Sequence, residues 1–172
     1  MFRGSGQADP PMLVTPQEIR FDTRADYSQA IDTLLRSTVG SLRVFDLDLK
    51  NTGFESAARA AALANFLGQR GGQIQMVLHD PEHLLRCCPR VMSLFTRHGH
   101  CFAIRRTPDD LRLLTDCFLL ADEDKAVIRL HADHFRGKLL LAKPEDVRPW
   151  RQRFAELWDA SLPSVAATRL GL

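Results

Sequence analysis

The densest run of groups able to hold an anion is Arg129-Leu-His131-Ala-Asp-His134-Phe-Arg136-Gly137-Lys138. Guanidinium, imidazolium and ammonium groups so close together suit a phosphate or a nucleic-acid backbone, gripped by charge-assisted hydrogen bonds. The same residues also fit a solvated loop beside a strand, with Gly137 supplying backbone freedom. His79, His83 and Cys87 fall four apart, and imidazole with thiolate suits zinc if a helix starts early enough to align them. His98 and His100 lie past the far end of that helix and no C-x-x-C pair supports the set, so neither a metal nor any other cofactor is expected. Asp46 and Asp48 alternate along an apolar run, the spacing of two carboxylates on one sheet face. Such a pair binds a metal, exchanges protons or answers arginines such as Arg43 and Arg129, and ion pairing is the expected role. Cys87 and Cys88 are adjacent and cannot face one pocket, which argues against redox chemistry. Trp150, Phe154 and Trp158 recur every four residues, the stripe of a helix that packs on a core or an interface.

Alternating strands and helices must position these groups. Residues 1–18 hold Gly4, Gly6, Pro10, Pro11 and Pro16 among small polar residues, the composition of a leader or linker, and residues 19–172 form the expected folded domain. Tyr27, Ile31, Leu34, Leu35 and Thr38 share one helical face, and Gly40 closes that helix. Leu42 to Leu49 reads as a strand. Thr52-Gly-Phe-Glu55 has capping-box spacing ahead of an Ala-rich helix over 56–69, which Gly71 and Gly72 stop. A strand over 73–78 follows, and then a helix begun by Asp80-Pro81 and broken at Pro89. A third strand covers 101–106. Residues 111–121 and 126–130 flank the acidic turn Asp122-Glu-Asp-Lys125 as a hairpin, 138–142 adds a strand, and 145–160 makes a closing helix. This order predicts an α/β fold, a three-layer α-β-α sandwich around a mixed sheet.

Composition narrows the function. The 172 residues are 45% hydrophobic and 26% charged, which excludes wholesale disorder and fibrous folds. No apolar run reaches the roughly 18 residues of a membrane span, and the first residues lack a secretory core, so a cytoplasmic protein is expected. Four cysteines without framework spacing fit a reducing compartment. Net charge is only +2, yet arginine dominates: Lys50, Lys125, Lys138 and Lys143 are the only lysines among 23 basic residues. Arginine binds phosphate bidentately, a hint toward anions.

The order and spacing of these elements resemble one half of the phospholipase D superfamily. The helix over 27–38, the strand over 42–49, the helix ending in Gln69-Arg-Gly-Gly72 and the strand over 74–80 are similar to that family's first β-α-β unit. Cys117-Phe-Leu-Leu-Ala-Asp122, its turn and the strand over 126–130 resemble the strand pair that carries the catalytic motif, and Phe154-Ala-Glu-Leu-Trp158 the closing helix. The family's motif is H-x-K-x-x-x-x-D, in which histidine attacks phosphorus, lysine binds phosphate oxygens and aspartate supports them. With Asp122 as the aspartate, Thr115 stands at the histidine position and Cys117 at the lysine position. Threonine has too high a pKa to replace imidazole without an activating base, and cysteine brings no positive charge. The Gly-Ser-x-Asn signature of the next strand reads Arg129-Leu-His131-Ala132. The resemblance therefore implies a degenerate site.

The expected function is that of a non-catalytic phospholipase D-like domain, a phosphate- or polyanion-binding or assembly module that can be accessory to another catalytic domain. Its phosphate-binding candidates are Arg129, His131, His134, Arg136 and Lys138. Single-motif members of the superfamily pair two halves about a two-fold axis, so the resemblance also implies a homodimer or a docking surface. One alternative is an active phosphodiesterase or nuclease with His131 or His134 as a relocated nucleophile. Another is a purely structural dimerisation domain.

Overall fold

In the computed structural model of the protein, residues 15–164 are described. Most of the expected leader lies outside them, and its last two residues, Gln17 and Glu18, open a strand. The elements are β1 (Gln17–Phe21), α1 (Arg24–Ser37), β2 (Ser41–Asp46), α2 (Ala57–Leu67), β3 (Gln73–Leu78), α3 (Glu82–Cys87), α4 (Pro89–Arg97), β4 (Phe102–Arg106), β5 (Cys117–Ala121), β6 (Lys125–Arg129), β7 (Gly137–Leu141), α5 (Pro144–Ala160) and β8 (Leu162–Pro163). The eight strands form one sheet in the order β1-β7-β6-β5-β2-β3-β4-β8. β2, β3 and β4 run parallel, joined by helical crossovers, whereas β5, β6, β7 and β1 pair antiparallel. This is the expected mixed sheet.

Side-chain alternation along the strands separates two cores. Leu42, Val44, Met76, Leu119, Val127 and Leu139 face α1 to α4, while Phe45, Val77, Phe118, Leu120, Ile128 and Leu140 face α5. The helices therefore cover both faces, giving three layers. On α5, Phe154 is buried, Trp150 meets Phe118 at 5.1 Å, and Arg105 stacks over Trp158 at 4.2 Å. The aromatic stripe is a core stripe.

Three local expectations change. Thr52 does not cap α2; its hydroxyl donates to the Leu49 carbonyl, and Ser56 caps by accepting the Arg59 amide. Residues 111–116 do not extend β5, because a short 3-10 turn over Asp109–Leu111 turns the chain first. β1 and β8, at the sheet's two edges, are short strands among exposed residues and carry little hydrophobic pattern. Pro89, by contrast, separates α3 from α4 as its missing amide requires.

Candidate functional site

The residues that the resemblance aligns with the motif, Thr115, Cys117 and Asp122, fall at opposite ends of β5. Asp122 follows its C-terminal end in the left-handed backbone region, φ 54°. Its carboxylate accepts the amides of Gly40 at 2.7 Å, Val39 at 3.1 Å and Ser41 at 3.1 Å, and the Lys125 ammonium at 2.8 Å. Burial works against its charge, but the bonds from Lys125, Gly40 and Ser41 prevail and hold its pKa below the usual carboxylate range. Asp122 thus staples the β5–β6 turn to the entry of β2. Thr115 and Cys117 lie at the other end of the strand, roughly 16 Å away at 3.3 Å per residue.

At that end, where the resemblance would put a lysine, the side chain is part of the core. Cys117 is 1% exposed, and burial followed by the negative charge of Asp46 pushes its thiol well above the usual range. It is a protonated thiol, neither a cation nor a nucleophile. Thr115 uses its carbonyl to accept the Ala132 amide at 2.7 Å. Arg129, one of the phosphate-binding candidates, is also 1% exposed. Its guanidinium stacks over Tyr27 at 4.5 Å and Phe135 at 5.3 Å and donates to the carbonyls of Ala132 and His134 at 3.3 and 3.4 Å. It holds the 130–136 loop from inside and is out of reach of an external phosphate. The inward parity of Arg129 with Val127 along β6 is the sequence signal for this, and Tyr27, which covers it, was missed as part of the corner.

Asp46 completes the cluster. Its Oδ1 accepts the amides of Asp48 at 3.1 Å and Leu49 at 2.8 Å. Burial raises its pKa, against the pull of those amides and of the Arg129 charge. Asp48 turns away to Lys50 at 3.0 Å, so the two aspartates are no acid/base pair: β2 ends at Asp46, and the alternation ends with it. Tyr27 Oη, Asp46 Oδ2 and Arg129 Nε are buried without hydrogen-bond partners among the described residues.

The remaining basic candidates stay at the surface. His131, His134 and Arg136 are exposed and Lys138 is half-buried. The two imidazole rings lie 5.5 Å apart, and His131 Nδ1 is 3.5 Å from the Asp133 carboxylate. Strand pairing sets Lys138 opposite Arg20 on β1, and Glu18 lies 3.8 Å from the Lys138 ammonium. Gly137 is required here, because a Cβ would meet the Ile128 carbonyl and the Phe21 ring.

The alignment of His79, His83 and Cys87 that an early helix start would give does not form. His79 is buried at the end of β3, with Nε2 2.8 Å from the Leu114 carbonyl, Nδ1 2.6 Å from the Thr107 hydroxyl and its ring edge against Phe45. Nε2 must donate to that carbonyl, so both nitrogens are satisfied. Cys87 is exposed and Cys88 buried. Two concavities lie away from Thr115 and Cys117: one over α5 beside Arg43, Arg151 and Trp158, the other between α2 and α4.

A family model described as "Domain of unknown function (DUF7931)" matches residues 23–170. No curated protein matches the chain in sequence. Among solved structures, the chain is similar to TrmBL2, an archaeal chromatin protein described with a novel mode of DNA binding, at TM-score 0.61 and 12% identity, covering 89% of this chain and 56% of that one. It is similar to Nuc, a phospholipase D family member from Salmonella typhimurium, at TM-score 0.59 and 14% identity, covering 88% of this chain and 100% of that one. The phosphatidylserine synthase of Haemophilus influenzae Rd KW20 gives TM-score 0.59 and 10% identity, covering 92% of this chain and 42% of that one. At these identities the likeness shows the fold, which is phospholipase D-like.

Proposed function

We propose, on the premise that this chain belongs to the DUF7931 family and carries a phospholipase D-like fold, that it acts without phosphohistidine chemistry as a phosphate- or polyanion-binding and assembly module. One observation carries the reading. Where the family resemblance puts the phosphate-binding lysine, the chain has a buried, protonated Cys117 beside the enclosed Arg129. A phosphodiester needs an open cleft and a cation within its reach there; this corner is closed, and its one guanidinium, Arg129, is enclosed.

The anion-binding surface is the outside of the same loop: His131, His134, Arg136 and Lys138, extended by Arg20 across the strand pair. The likeness to a chromatin protein that binds DNA supports a polyanion as the ligand class. Fluorescence anisotropy with a labelled oligonucleotide tests it. Weak binding is expected, falling as salt rises because counterions are released. Reversing charge at Arg136 and Lys138 together removes the binding and leaves the melting temperature nearly unchanged, since Arg136 is exposed and the half-buried Lys138 meets Glu18 at 3.8 Å, a pair at the surface that contributes only about 0–1 kcal/mol. Absence of binding in the parent chain, or binding indifferent to both substitutions, overturns the assignment of this surface.

The second reading, a phosphodiesterase with a relocated nucleophile, draws on the proximity of His131, His134 and Asp133. Turnover of bis-p-nitrophenyl phosphate that vanishes in His131→Ala would establish it in place of the first.

A further inference from the structure

We propose that Glu55, His83 and Cys88 form a binding site for a divalent transition-metal ion of the zinc class. One carboxylate oxygen, one imidazole nitrogen and one sulfur from these residues all lie within 4.8 Å of one another. They come from separate parts of the chain: Glu55 from the loop before α2, His83 from α3, and Cys88 from the joint between α3 and α4. The expected absence of a metal was argued from His79, His83 and Cys87, which the fold separates. Only His83 is common to both sets.

The backbone that carries Glu55 and the whole of Cys88 are held in place by their surroundings. Phe54, next to Glu55, is completely buried, and the loop is braced by Arg59, which donates to the Thr52 and Ser28 carbonyls. Glycine suits position 53 there, since φ is 69° and a Cβ would meet the Arg59 guanidinium at 2.6 Å. Cys88 is 0% exposed, and its amide donates to the Leu84 carbonyl at 3.3 Å. A backbone braced this way limits the freedom lost on binding.

The observation pointing to a ligand is His83 Nε2. It is buried and lacks a hydrogen-bond partner; the Glu55 carboxylate is 3.7 Å away, too far for one. A buried ring nitrogen without a partner is uncommon and requires a reason. A cation between the three atoms satisfies the nitrogen, the carboxylate and the sulfur together, whereas a Glu–His ion pair leaves the thiol unused. Tetrahedral zinc puts nitrogen, oxygen and sulfur ligands about 3.3–3.6 Å apart. The set must therefore close by about 1 Å, within reach of Glu55, whose side chain is 46% exposed. A mixed oxygen, nitrogen and sulfur set suits zinc and related ions, not magnesium or calcium, which take oxygen. On binding, the Cys88 S–H bond breaks, its proton leaves to solvent and sulfur bonds the metal. Three protein ligands leave a fourth position open to water.

Cobalt(II), a spectroscopic stand-in for zinc, tests the site on the full chain kept reduced with a phosphine. Expected is saturation at one equivalent, a thiolate-to-cobalt charge-transfer band in the near ultraviolet, and displacement by zinc. Cys88→Ser removes the band, while Cys87→Ser and His131→Ala retain it. Because Cys88 is buried and its variant can misfold, Glu55→Gln and His83→Gln supply the independent check. Each weakens cobalt binding by roughly tenfold or more, the loss seen when even an outer-shell partner is removed, and leaves the far-ultraviolet spectrum of the metal-free chain unchanged. A parent chain without the band, a band lost in Cys87→Ser, or affinity unmoved by both Glu55→Gln and His83→Gln overturns the proposal.

Discussion

Arg129 shows how one residue can change role with depth. A guanidinium at the surface of this loop would be an anion ligand; at 1% exposure it is a structural post, stacked on Tyr27 and bonded to two carbonyls of the loop it supports. Its positive charge also offsets the burial of Asp46. Arg129→Ala is expected to lose about 3 kcal/mol, because it empties a buried site packed on Tyr27 and Phe135 and leaves the Ala132 and His134 carbonyls without their donor. Adding Asp46→Asn should recover part of that loss, which urea unfolding of the double-mutant cycle measures; strictly additive effects would show that the two residues are uncoupled. The chemistry follows from the same corner. Neither phosphodiester turnover nor an effect of Thr115→Ala on it is expected in a sensitive assay, and measurable turnover abolished by Thr115→Ala would restore the motif position to catalysis.

Among the elements, the staple at Asp122 joins the β5–β6 turn to the start of β2, binding the antiparallel half of the sheet to the parallel half. Its folded pKa lies below the unfolded value near 3.9. The stability this group supplies is therefore complete above that value and is lost as pH falls through the folded pKa. Asp46 has the opposite sign: its pKa is raised, so its contribution falls as pH rises. Comparison with Asp122→Asn isolates the staple. The variant should start less stable at neutral pH and show a shallower decline below about pH 4, read from urea midpoints across pH. Parallel curves for the two proteins would mean that the carboxylate charge does no stabilising there.

At the scale of the whole molecule, the chain spans all of Nuc but 56% of TrmBL2 and 42% of the phosphatidylserine synthase. Its length matches that of Nuc, and a homodimer is the assembly we propose for it. Light scattering at micromolar concentration is expected to give a dimer; a monomer at high concentration would leave docking to another protein as the assembly role. No helix among the described residues is long and apolar enough to cross a membrane.

The layered α/β class, the order of the main helices and strands and the break at Pro89 were legible in the sequence because each depends on local periodicity or local backbone chemistry. The edge strands β1 and β8 were not, because pairing with β7 and β4 stabilises short segments that have little pattern of their own. Nor was the separation of Arg129 from the other basic residues of its run: the chain gives it the same charge as Arg136, and only packing against Tyr27 and Phe135 removes it from solvent. The Glu55, His83 and Cys88 cluster is the extreme case. Its members are 28 and 5 residues apart, and no spacing rule links them. Their proximity exists only because a braced loop, a short helix and a proline break fold against one another.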